Sequence, residues 1–186
     1  MSEPLIPPHG GYRDLLSYQR AEMVYDLTVE FCTRFLERRD RTVDQMVQAA
    51  RSGKQNIVEG SMASGTSRET EIKLTGVARA SLEELLIDAG DFLRTRGLPS
   101  WEKDHPEVRR LSVLLRTPGC SVETIRAAFD LHDPAVAANV IAGLVHVTGY
   151  LLDRQLRALE ERFVREGGLR ERMTQARLAH RQKDRR

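Results

Sequence analysis

The chain has 186 residues and carries 29 Lys and Arg against 27 Asp and Glu, a formal net charge of +2. That length fits one domain with a core large enough to stand without disulfides or a structural metal. Apolar residues at 40%, charged residues at 30% and aromatics at only 5% describe charge-rich helix surface and argue against a β-sandwich.

The two cysteines, Cys32 and Cys120, form no CxxC and join no Cys/His cluster, so neither a disulfide framework nor a zinc site is indicated. The apolar run around Val136 to Val147 reads as too short and interrupted to span a bilayer. The opening residues lack a basic stretch followed by an apolar one. The expectation is a cytoplasmic protein with no membrane partner. The net charge conceals an asymmetry: residues 165–186 hold eight basic and three acidic side chains, a net of +5, whereas residues 1–164 hold 21 basic and 24 acidic ones.

In chain order, residues 1–14 read as an irregular lead-in, because Pro4, Pro7, Pro8, Gly10 and Gly11 oppose both regular structures. A first helix, within about 14–39, is predicted from Tyr18, Ala21, Val24, Tyr25, Thr28, Phe31, Cys32 and Phe35, which recur at steps of three and four. Thr42 and Gln45 then form a capping-box pattern that opens a second helix over about 42–61. On its wheel Val43, Met46, Val47, Ala50 and Ile57 fall on one side, and Gln45, Ala49, Ser52, Asn56 and Glu59 on the other. That second stripe is small and polar, and Lys54 sits awkwardly near the apolar side.

A Gly-, Ser- and Ala-rich turn, 60–65, leads to a second capping box, Thr66 with Glu69, and to a third helix over 67–95. Gly97 and Pro99 stop it. Residues 98–132 break the rhythm with Pro99, Pro106, Pro118, Gly119 and Trp101, and two short helices are expected near 106–116 and 122–130. Asp133 as cap and Pro134 at the first helical position open the last long helix, 133–166, which Gly167–Gly168 ends. The expected fold is all-α, a single up-down antiparallel four-helix bundle. A short helical insertion, 98–132, separates helices 3 and 4, and a basic tail, 167–186, follows.

Little in this pattern carries catalytic chemistry. "SGK" at 52–54 fails as a phosphate loop, since Gln48 stands where the first glycine belongs and Gln55 where Ser or Thr belongs. His9, His105, His132, His146 and His180 are scattered without metal-ligand spacing. Paired acids such as Glu83–Glu84 and Glu160–Glu161 lie on charged helix faces, where solvation explains them. No nucleophile-and-base set, metal site or cofactor is indicated, and no enzyme is expected.

The stretch from Gln45 to Leu93 carries Ala49–Ala50, then Asn56-Ile57-x-Glu59-Gly60, and later Ala78-Arg79-Ala80-Ser81-Leu82-x-Glu84-Leu85. With the aromatic-rich first helix, these elements resemble the four-helix bundle family first noticed as proteins encoded in intervening sequences of bacterial large-subunit ribosomal RNA genes. The resemblance covers residues 12–95 and, less strictly, 133–164. Residues 98–132 and the tail are similar to a longer subgroup with a four-helix-bundle suffix region. The chain departs from the pattern at Gly53–Lys54, where the family often carries an apolar residue and a proline. The resemblance implies a homopentamer with a central channel. It also implies kinship with accessory proteins of diversity-generating retroelements, which bind a reverse transcriptase and nucleic acid through basic surface.

Asn56 and Glu59 admit two readings, a catalytic or metal-binding pair or a place where another helix approaches closely. The second is preferred, because the stripe has no His, Cys or third acid to complete a site. Ala49, Ser52, Asn56, Glu59 and Gly60 are therefore expected at a structural interface between copies of the chain. Nucleic-acid contacts, RNA or DNA without sequence preference, are expected from Arg170, Arg172, Arg177, Arg181, Lys183, Arg185 and Arg186. Five tails in a ring would present about +25 to phosphates. The alternative is an adaptor for a reverse transcriptase or another protein, with Trp101, Pro106 and Phe129 of the insertion as anchors.

Overall fold

The computed structural model describes Ile6 and residues 8–183, apart from the side chain of Lys183. Among these residues all regular structure is helical and no strand is present. After a single 3-10 turn, Tyr12–Asp14, come α1 (Leu16–Phe35), α2 (Arg41–Ala63), α3 (Arg68–Thr95), α4 (Pro106–Arg116), α5 (Val122–Ala128), α6 (Pro134–Glu166) and α7 (Leu169–Lys183).

The helix starts follow hydrogen-bond supply. Asp40, not Thr42, caps α2, its carboxylate accepting from the Thr42 amide at 2.9 Å. Ser67, not Thr66, caps α3, its hydroxyl accepting from the Thr70 amide at 3.1 Å, while the Thr66 amide is used in the turn by the Ala63 carbonyl. In both cases the neighbouring polar residue already has extended backbone and can aim its oxygen at the first turn. Asp133 caps α6 through the amides of Ala135 and Val136, at 2.7 and 3.1 Å. α1 stops at Phe35, short of the expected end, because Leu36 turns extended.

Each of the four long helices packs on two others in a closed order: α1 on α2 and α6, and α3 on α2 and α6. The core they enclose contains Val24, Phe31, Met46, Ile57, Leu82, Leu85, Ile141, Leu144 and Leu152. Deep burial of such apolar side chains is the main favourable term in folding. α4 lies against α6, where Gly143 leaves room for the Leu111 side chain, and α5 packs on α1 and α4. The 98–132 segment is thereby part of the core, with Leu111, Leu115, Ile125, Phe129 and Leu131 buried. Asn139 of α6 ties down its start. Its amide nitrogen donates to the Pro99 carbonyl at 2.8 Å and its oxygen accepts from the Trp101 amide at 2.7 Å.

By length and composition alone, α6 contains a stretch apolar enough to cross a membrane, against the reading of its sequence. More than half of that stretch is buried inside the protein, as in a core helix.

Candidate nucleic-acid interface

The basic C-terminal segment is a helix. Gly167, at φ +66°, breaks the chain between α6 and α7, a conformation that a side chain would strain. Arg68 at the start of α3 holds this break in place. Its guanidinium donates to the carbonyls of Arg162 and Gly167 at 3.3 and 3.2 Å and pairs with the Glu166 carboxylate at 2.7 Å. The hydrogen bond from Arg68, with a further one from Arg165, holds the Glu166 carboxyl below the ordinary carboxylate range. The α6–α7 corner is thus anchored to the body.

Beyond the corner α7 shares no extensive contact with the other helices. It is 15 residues long, about 22 Å at 1.5 Å per residue. At about 100° per residue Arg170, Arg177 and Arg181 fall within a narrow arc of one face. All three are exposed, and none pairs with an acid among the described residues. Glu171, the acid of this helix, turns back to accept from the Gly168 amide at 3.0 Å. Arg172 falls on nearly the opposite side and is half-buried. The Lys183 side chain, Arg185 and Arg186 lie outside the described residues. The face therefore carries three cations with no ion-pair partner among the described residues.

The second candidate surface, the small and polar stripe of α2, is placed differently by its members. Ala49 is buried, and the Ser52 hydroxyl lies 2.9 Å from that of Ser81 on α3. A Cβ at Gly60 would meet the Glu71 carbonyl oxygen and the Leu74 Cβ at 3.4 Å, so this glycine sets how closely α2 and α3 approach. The Asn56 amide donates to the Ser52 carbonyl and hydroxyl, at 2.9 and 3.1 Å, within its own helix. Glu59 is exposed. Three of the five residues thus face α3 of the same chain, and Glu59 is the member left to solvent.

Sequence reasoning took α2 as two-sided, whereas it has two neighbours. Lys54, which the wheel leaves unexplained, lies on the α1 side with its Nζ 4.2 Å from the centre of the Tyr25 ring, a cation–π contact. Gly53 lies toward α3 beneath Leu82.

Along the α2–α3 seam runs a shallow polar groove of about 410 Å³, lined by Gln45, Gln48, Ala49, Ser52, Ser81, Glu84 and Asp88. Burial, and then the charges of Asp91 and Glu84, push the Asp88 carboxyl above the ordinary range. Sequence reasoning missed Asp88, although its spacing from Ser81 and Glu84 (i, i+3, i+7) places all three on one helix face.

No family model, curated protein or solved structure matches the chain.

Proposed function

We propose that this protein is a non-enzymatic, cytoplasmic scaffold that associates with itself and binds nucleic acid without sequence preference through α7. In this reading α1, α2, α3 and α6 form an up-down antiparallel four-helix bundle of the ribosomal-RNA intervening-sequence type, assembled as a homo-oligomer, with the pentamer that the resemblance implies.

The observation that carries the nucleic-acid half is the exposed face of Arg170, Arg177 and Arg181, which pairs with no acid among the described residues, on a helix with no extensive contact to the others. Guanidinium groups exposed in a row gain most from phosphate, by displacing its condensed counterions. The face has no aromatic side chain for base stacking, so contact to the backbone and not to the bases is what it offers. Self-association is supported by Val77 and Ile87, large apolar side chains that stand in solvent on α3. The adaptor alternative has less behind it, because Phe129 is buried and Trp101 is stacked on His105, ring centres 5.1 Å apart.

The test is fluorescence anisotropy of labelled single-stranded RNA, single-stranded DNA and duplex DNA with the full chain and its Arg170→Gln/Arg177→Gln/Arg181→Gln variant, at 50 and 200 mM salt. The native chain is expected to bind all three with affinity that falls steeply with salt, and the variant to bind at least tenfold more weakly. Equal binding by both proteins, or none by either, overturns the reading.

A further inference from the structure

A cavity of about 860 Å³ opens between α1, α4 and α6, beside the turn that joins α4 to α5. This volume lies in the range of pockets that hold small organic ligands. Leu115, Val147 and Leu151 supply an apolar wall. Arg20, Arg116 and Arg154 also line the cavity, and no Asp or Glu does.

Arg20 is the least expected of the three. It is 5% exposed, and its guanidinium donates to the carbonyls of Leu115 at 2.7 Å and Cys120 at 3.2 Å, with a longer contact to the Met23 sulfur at 3.4 Å. No carboxylate pairs with it among the described residues. Carbonyl dipoles orient a buried cation but do not neutralise it, and charges removed from water ordinarily have a counter-charge. Arg116 gives its Nε to the Ser112 carbonyl at 3.2 Å, and Arg154 lies 6.0 Å from the centre of the Tyr150 ring. Neither forms an ion pair among the described residues.

We propose that this cavity binds an organic anion with an apolar body, of the chemical class of a medium-chain fatty acid. The charge requirement follows from three arginines with no acid between them, and the apolar requirement from the leucine and valine wall. An inorganic anion would satisfy the first alone, and a neutral lipid the second alone. The site lies on α1, α4 and α6, away from the cationic face of α7.

Isothermal titration of the full chain with dodecanoate, dodecanol and sulfate tests this, below the concentration at which dodecanoate forms micelles. Dodecanoate is expected to bind one per chain and at least tenfold more tightly than either of the others. Arg116→Gln/Arg154→Gln, at exposed positions that leave the Arg20 contacts in place, is expected to weaken it at least tenfold. Leu16→Trp, at the exposed edge of the cavity, is expected to weaken both alkyl ligands by obstructing the opening. Absence of dodecanoate binding overturns the assignment. So does equal affinity for dodecanol, or affinity that neither variant changes.

Discussion

Gly53 of α2 lies directly under Leu82 of α3: a Cβ built on residue 53 would stand 2.6 Å from Leu82 Cδ2 and 2.7 Å from its Cγ. Leu82 is 1% exposed, so it has no free space to move into. Gly53→Ala sets a helix-propensity gain of about 1 kcal/mol against an overpacking penalty of about 1–3 kcal/mol. The expected net effect is a loss of stability and a melting temperature lower by a few degrees. Gly76 on α3 is the control, because nothing stands within 4 Å of where its Cβ would be. Gly76→Ala is expected to stabilise by about 0.5–1 kcal/mol. Thermal unfolding followed by circular dichroism reads both, and a rise for Gly53→Ala as large as for Gly76→Ala would refute the close contact.

Arg20 fastens the α4–α5 connection to α1 through the Leu115 and Cys120 carbonyls. Arg20→Met keeps much of the apolar stem but leaves two carbonyls without their charged donor. A loss of about 2–4 kcal/mol is expected, from hydrogen bonds to a charged group worth about 1.5–3 kcal/mol each. Arg20→Lys, with one point of charge in place of a fork, is expected to fall between the two. Urea unfolding measures the series, and an Arg20→Met variant as stable as the native chain would remove the fastening role.

Asp88 gives a pH dependence of unusual sign. Its carboxyl is raised above the ordinary value of 3.8 by burial first and by Asp91 and Glu84 second. Between the ordinary value and the raised one the native chain binds more protons than the unfolded chain, so stability falls as pH rises through that interval. Asp88→Asn is therefore expected to raise the melting temperature by roughly 1–3 °C at pH 7, the group being partly solvated. The gain is expected to shrink toward zero as pH falls to about 4. A gain that is the same at both pH values would show that the charge is not its source.

The two thiols are set apart by their surroundings. Burial pushes the Cys32 thiol up to about 11, with Asp88 and Asp40 adding to it. Cys120 is half-buried and also raised by burial, but the nearby Arg20 charge opposes that rise. Because the thiolate is the reactive form, a disulfide reagent at pH 8 is expected to modify Cys120 first. In a Cys120→Ser variant, modification of Cys32 is expected to await unfolding. Faster labelling of Cys32 than of Cys120 in the native chain would contradict the burial of Cys32.

Glu59 is exposed and makes no internal ion pair among the described residues, so Glu59→Ala should leave chain stability within about 0.5 kcal/mol. If Glu59 lies where copies meet, the variant will lower the particle mass seen by light scattering while its melting temperature at high dilution stays constant. An unchanged mass would remove Glu59 from the interface.

Part of this was legible in residue order. The three-and-four spacing of Val24, Phe31 and their neighbours, the Asp133–Pro134 start and the Gly167 stop depend on contacts within a few residues, which a wheel represents directly. The caps at Asp40 and Ser67 were displaced from Thr42 and Thr66 because several polar residues stand side by side there. Only the backbone conformation selects which oxygen points into the first turn. The cationic side chains of the C-terminus were visible as composition. The gathering of Arg170, Arg177 and Arg181 on one face required the helix that forms beyond Gly167.

The sequence by itself determined that the chain is helical, where its apolar stripes run and where its positive charge collects, because helix periodicity and charge are local properties. Only the tertiary structure decided that Ala49, Ser52 and Gly60 serve α3 of the same chain, that Lys54 rests on Tyr25, and that Arg20 is buried against carbonyls 95 and 100 residues away. Those facts depend on the distance and rotation between helices far apart in the chain. Side-chain packing fixes that distance and rotation, and the spacing of residues along one helix does not contain them.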